Sequence, residues 1–305
     1  MNSKSKYVAV PYLAWMVIFI VVPLALIGVF AFTTTVTCDM EGNMLTDEEI
    51  AEYEAYCEEE GIEPEYTERT IFTVQNILDV SKYSSVLINS AWLALIATVI
   101  CLVIAYPLAY MISRMFYSRQ KLALMLVMLP MWMNFLLRTY AWMTLLEKNG
   151  LINKFFGLFG IGPFDMINTQ GAVVLGMVYN YLPFMILPLY SVMTKIDDRT
   201  IEAAQDLGAN GLQVIWRVVV PLSMPGVATG ITQVFVPSVS TFIISRMLGG
   251  GTNMLIGDLI DLQFLGNAYN PNLGAAISLV LMVFIFLCMS ITNQLDNEDM
   301  EGVLL

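Results

Sequence analysis

The 305-residue sequence predicts an all-α integral membrane protein with six membrane-spanning helices, on three observations. Apolar residues make up 57% of the chain and charged residues 13%, and the mean hydropathy is +0.69, far from the balance of a soluble domain. A hydrocarbon core ~30 Å thick takes about 20 mostly apolar residues to cross. Six stretches qualify: residues 7–32, 86–113, 122–145, 171–192, 224–245 and 273–291. Lys and Arg lean, eight against six, toward the loops that a cytoplasmic N-terminus places inside.

The first stretch reads as an uncleaved helix. Its apolar run exceeds the ~7–15 residues of a signal-peptide core, and Thr33-Thr34-Thr35-Val36 offers no small-residue cleavage site. Between it and the second stretch lies the source of the net charge of −12: thirteen of the 26 acidic residues fall between Asp39 and Glu68. Without them, 14 basic groups face 13 acidic ones. The acidity therefore belongs to an insertion, read as a solvated hairpin or helix, or else as a local cation concentrator at the outer mouth. Cys38 and Cys57 lie in the same insertion and stand either as a disulfide pair or as two free thiols. Cys101 and Cys288 fall inside apolar stretches and read as small packing residues.

Prolines interrupt most later stretches, at Pro107, Pro130, Pro183, Pro188 and Pro237. Membrane helices tolerate them because neighbouring groups re-satisfy the freed backbone. The chain divides into a first helix with its acidic loop (residues 1–85), a five-helix core (86–291) and a cytoplasmic tail (292–305). There is no histidine, which removes the commonest metal ligand and general base, and no metal site or catalytic residue is expected. A phosphate-binding Gly-x4-Gly-Lys-Ser/Thr loop is also missing, so this chain holds no ATP site of its own.

Between the fourth and fifth stretches, the segment from Asp197 to Pro221 is polar and helix-forming. Thr200 is the expected N-cap, with Glu202 and Asp206 on the first turns. Gly208 breaks the helix, and a second short helix leads to Pro221. Two helices with a glycine elbow at a membrane face suit docking into a partner. The spacing Glu202-Ala203-Ala204, three residues, Gly208, nine residues, Val218-x-Val220-Pro221 resembles the EAA signature of type I ABC-importer permeases. Val218 and Val220 stand where that family usually has Ile and Leu. The resemblance implies the MetI-like permease fold in a bacterial plasma (inner) membrane, with both termini cytoplasmic. It also implies a coupling loop seated on a cytoplasmic ABC ATPase dimer that uses ATP and Mg. Further implied partners are a second, related permease, an extracytoplasmic substrate-binding protein and membrane lipid, but no nucleic acid.

Two more stretches are similar to the spermidine/putrescine permeases of that family. One is Arg138-Thr139-Tyr140-Ala141-Trp142 with Leu145-Leu146 and Asn149-Gly150-Leu151-Ile152-Asn153. The other is Leu248-Gly249-Gly250-Gly251 followed by Met254 to Ile260 and Gln263-Phe264. A polyamine loses water from several ammonium groups and needs carboxylates, carbonyls or aromatic faces in exchange. Candidate pathway groups are Asn134, Tyr140, Tyr179, Asn180, Tyr181 and Gln233, with Asp258 and Asp261 at the outer mouth. The tyrosines equally suit an interfacial belt, whereas an amide in hydrocarbon wants a partner. Arg138 is expected to pair with a carboxylate or carbonyls near the outer boundary. Three rival classes are an ion-driven carrier, a membrane-embedded hydrolase and a membrane scaffold. The first lacks intramembrane carboxylates here, and the second lacks a base.

Overall fold

A computed structural model describes residues 11–12, 14–38, 49–50, 53, 56–57, 67–251, 253–266 and 269–302. Five described helices are long and apolar enough to cross a membrane: α1 (Ala14–Ala31), α2 (Gln75–Ser113), α6 (Gln170–Met193), α8 (Gly211–Val239) and a last helix (Pro271–Thr292, helical on to Gly302). The expected third span is not one straight helix. Tyr117–Trp132 (α3 and a 3-10 turn) and Phe135–Gly157 (α4, Phe135–Leu146, then α5, Leu151–Gly157) meet at a 90° bend.

The bend has a local cause. Pro130 lacks an N–H, the chain tightens into a 3-10 turn over Leu129–Trp132, and Met133 and Asn134 are extended. Asn134 then starts α4 as its N-cap, its side-chain oxygen accepting from the N–H of Leu136 at 2.8 Å and of Leu137 at 3.4 Å. The other interior prolines leave their helices continuous. In α1 and α8 a π-turn (Val17–Val21, Ile215–Val219) lies just before Pro23 and Pro221 respectively. Widening the turn keeps the proline ring clear of the carbonyl four residues earlier.

The chain forms two compact units, residues 1–84 with 262–283, and residues 85–261 with 284–305. In the first, strands β1 (Thr33–Cys38) and β2 (Thr67–Phe72) pair antiparallel, from Thr33 opposite Phe72 to Cys38 opposite Thr67. This ribbon departs from an all-helical chain. Phe32 stacks on Phe72 at its base (centroids 5.8 Å apart), and the Asn76 amide donates to the Thr33 carbonyl at 2.8 Å. Most of the acidic run that the ribbon brackets lies outside the described residues. Cys38 and Cys57 are both buried and both free thiols.

The second unit is built around α6, whose Val173, Met177, Met185, Leu189 and Met193 are fully buried. Helix α2 approaches through Ala97, Cys101, Ala105 and Ala109, small residues four apart, all fully buried. The Cys101 thiol donates to the Val178 carbonyl at 3.8 Å, in keeping with a packing role. Against α8, a Cβ on Gly230 would meet Met185 Sδ at 2.6 Å, so the close crossing depends on the missing side chain. Tyr106 on α2 and Ser223 on α8 share a 2.8 Å hydrogen bond across the same interior.

Candidate functional site

The segment after α6 folds into a sharply defined elbow. Helix α7 spans Asp198–Asp206 and is capped by Asp197, whose carboxylate accepts from the Arg199 N–H at 3.0 Å. Thr200 lies inside the helix and is not the cap. A carboxylate at the N-terminus satisfies an orphan donor and opposes the helix dipole together, so it outcompetes a hydroxyl three residues later. Gly208 ends the helix at φ +86°, a backbone state that strains any residue with a Cβ. The Gly208 N–H donates to the Gln205 carbonyl at 2.8 Å and the Ala209 N–H to the Ala204 carbonyl at 3.1 Å, the two bonds of a Schellman closure. Asn210 and Gln213 then form a reciprocal capping box, both bonds 2.9 Å.

The second arm is longer than its sequence suggests. It is not a separate short helix but the first turns of α8, which runs unbroken from Gly211 through the π-turn and an exposed Pro221 to Val239. A displacement at the elbow therefore has a direct mechanical route into a spanning helix.

The two faces of the elbow differ. Ile201 and Ala204 pack with Ala209 and Tyr110 against buried Ile196, Val214 and Val219. Glu202 and Ala203 point outward and are exposed. Leu207 is 90% exposed, and Leu212 and Trp216 are also largely exposed. Each such side chain is worth roughly 1.5–3 kcal/mol when fully buried, so covering them would be favourable. Sequence reasoning missed these three. The signal was available, since each is a large apolar residue in an otherwise polar segment.

One long-range contact anchors the elbow. Arg114, just past the end of α2, forms an ion pair with Asp198 and donates to the carbonyls of Ile196 (3.2 Å) and Met193 (3.5 Å). In the sequence, Arg114 is only one of the eight Lys and Arg residues counted on the inner side.

The candidate pathway groups are more scattered. Asn134 is spent on its cap and is exposed, and Tyr140 is exposed on α4. Tyr179 packs edge-on against Trp142, centroids 5.3 Å apart, joining α6 to α4. The Tyr181 hydroxyl donates to the Pro237 carbonyl at 3.3 Å. Gln233 is exposed on α8, and an amide on a spanning helix faces water or protein rather than lipid.

Four residues keep buried polar atoms unmet among the described residues: Arg114, at Nε beside the elbow, and Arg138, Asn180 and Asp258 in the interior. Arg138, 8% exposed, has no partner at Nε or Nη1, and Phe135 lies 5.8 Å below its guanidinium. The carboxylate or carbonyl expected at those two nitrogens is not there. Asn180, 2% exposed, donates to the Gly176 carbonyl at 2.8 Å and leaves Oδ1 unmet. Asp258, 5% exposed, accepts from the Leu255 N–H at 3.0 Å through Oδ2 and leaves Oδ1 unmet. Burial pushes the Asp258 carboxyl above the usual carboxylate range, with Ser245, the Leu255 N–H and Arg246 pulling the other way. Asp261 is instead ion-paired with Arg246, so its charge is already matched.

Two of the sequence motifs prove structural. The Asn153 side chain bridges the Glu147 carbonyl, the Phe164 carbonyl and the Phe164 N–H, at 3.2, 2.9 and 2.9 Å, closing the loop after α4. A Cβ on Gly257 would lie 2.5 Å from the Ser240 carbonyl oxygen, so the first turn of the helix Ile256–Leu265 admits only glycine there.

Residues 3–297 match the model of a family described as binding-protein-dependent transport system inner membrane component. The chain belongs to this family. That places it among transport permeases and disfavours the carrier, hydrolase and scaffold readings. The permease is 41% identical over 224 residues to the spermidine/putrescine transport system permease protein PotB of Haemophilus influenzae, covering 72% of this chain and 78% of that one. It is 39% identical to PotB of Escherichia coli, covering 76% and 87%, and 28% identical to the inner membrane ABC transporter permease YdcU of the same species, covering 76% and 78%. A chain of a bacterial alginate ABC transporter, solved with an alginate-bound periplasmic protein, shares the fold at TM-score 0.70 and 14% identity, covering 96% of this chain and 93% of that one.

Proposed function

We propose that this permease is one of two related membrane subunits of an ATP-driven importer for spermidine, putrescine or a close polyamine, working by alternating access. The elbow is the observation that carries the coupling half of this reading. It is capped at both helix starts, closed by Gly208, carries the exposed apolar side chains Leu207, Leu212 and Trp216, and is continuous with α8. On this reading it lies in the cytoplasm, as do both termini, and seats in a groove of an ABC ATPase dimer. ATP and Mg bind to that partner and not to this chain. Closure of the ATPase moves the elbow and rocks the helices between inward-open and outward-open states.

The substrate half rests on the PotB relatives and on the chemistry of the interior. Tyr179 with Trp142, Tyr140, Asn180 and Gln233 offer aromatic faces and amides for ammonium groups, and Asp258 offers the unmatched carboxylate. An extracytoplasmic binding protein delivers the polyamine. The test is ATP hydrolysis in proteoliposomes holding the full complex. Binding protein loaded with spermidine or putrescine should stimulate hydrolysis and uptake. Equal stimulation by an unrelated sugar would remove the polyamine assignment.

A further inference from the structure

We infer that Arg114 is a mechanical latch, a positioning residue through which movement of α7 reaches α2 and α6; this rests on the elbow being the coupling element. Arg114 directly follows Ser113, the last residue of α2, and its side chain is mostly buried. Its Nη2 donates to the carbonyl of Met193, the last residue of α6, at 3.5 Å. Its Nη1 donates to the Ile196 carbonyl in the link at 3.2 Å, and to the carboxylate of Asp198, the first residue of α7. One planar group thus holds the end of one spanning helix, the end of a second and the start of the elbow.

Chemistry explains why arginine stands here. The final carbonyls of α6 lack intrahelical donors, and a cation at a helix C-terminus is favoured by the dipole. A rigid fork of donors serves several acceptors at fixed angles, which a lysine ammonium does not. Tyr110 lies 5.7 Å beneath the guanidinium and also packs against the apolar cluster under the elbow, so α2 reaches the elbow region through two contacts. The two contacts differ in kind. Apolar packing permits sliding, whereas directed hydrogen bonds fix a register and convey displacement. A cavity of about 620 Å³ bordered by Ser113, Arg114, Gln120 and Lys195 leaves the surroundings room to move. The exposed Asp198 carboxylate contributes least to the latch; the carbonyl bonds, half screened from water, contribute most.

The test measures ATP hydrolysed per polyamine imported, with co-purification of the ATPase, for Arg114→Gln, Arg114→Lys and Asp198→Asn in the full reconstituted complex. Arg114→Gln should keep its ATPase yet raise the ratio about tenfold, within the ordinary range of coupling free energies. Arg114→Lys should fall between it and wild type, and Asp198→Asn should change the ratio only about twofold. A wild-type ratio in Arg114→Gln overturns the latch. So does loss of the ATPase from Arg114→Gln, which makes the residue a prop for the docking surface. Glu202→Lys run alongside separates the two ideas. If it uncouples and Arg114→Gln does not, the latch alone fails; if neither uncouples, the coupling role of the elbow fails with it.

Discussion

The elbow and the interior around Arg138, Asn180 and Asp258 treat polar groups in opposite ways. At the elbow both helix starts are capped by side chains, and the turn between them is closed by backbone bonds, although nearly all of it is exposed. In the interior, where an unmet polar atom costs about 1–3 kcal/mol, three residues keep one or more such atoms. A surface element satisfied beyond what water demands is built to be stiff. A buried group left unsatisfied is stability forgone, which points to an acceptor or donor supplied by substrate, water or a second chain during transport.

The comparison predicts that elbow substitutions damage stiffness and uptake together, while interior substitutions separate stability from uptake. Gly208→Pro forces φ from +86° to about −65° and should abolish polyamine uptake with membrane insertion intact, measured by radiolabelled uptake and membrane fractionation. Full uptake in that variant would dismiss the lever. Arg138→Met should lower uptake about tenfold while leaving the thermal stability of the purified permease unchanged or raised by roughly 1–3 kcal/mol, because an unmet buried charge is removed. A large loss of stability instead would show that its donors are satisfied.

Asp258→Asn tests the interior by pH. The folded carboxyl titrates above its unfolded value, so its protonated form contributes stability below the ordinary carboxylate range. That contribution is lost as pH rises through the raised folded value. Wild type should therefore lose melting temperature across that window and the variant should not, ending more stable near neutrality. Parallel curves would place the carboxyl in contact with water. The smallest effect belongs to Asn210→Ala, which breaks the capping box and should cost ~1 kcal/mol in local elbow stability by hydrogen exchange and a few-fold in uptake. Unchanged exchange there would mean that packing alone holds the second arm.

Composition made the spanning helices legible, and Gly208 announced its own break, because apolar length and glycine conformation are local properties. The bend at Met133-Asn134 was not legible. Pro107, Pro183 and Pro188 sit in similar apolar runs without breaking them, and what differs is an amide four residues after Pro130 that caps a new helix. Asp197 and Thr200 are both good caps three residues apart, so pattern alone misplaced the start of α7. The fusion of the second arm with α8 depended on a π-turn before Pro221, which periodicity does not reveal. Arg114 was invisible for another reason: its partners lie 79 to 84 residues away in sequence.

The most direct measurement is cysteine cross-linking from Leu212→Cys in whole membranes containing the assembled complex, with native cysteines replaced. The account predicts a covalent adduct between this permease and its ATPase, formed only when a cytoplasm-permeant reagent is used. Labelling of that cysteine in intact cells by a membrane-impermeant thiol reagent, with no adduct to the ATPase, would contradict it.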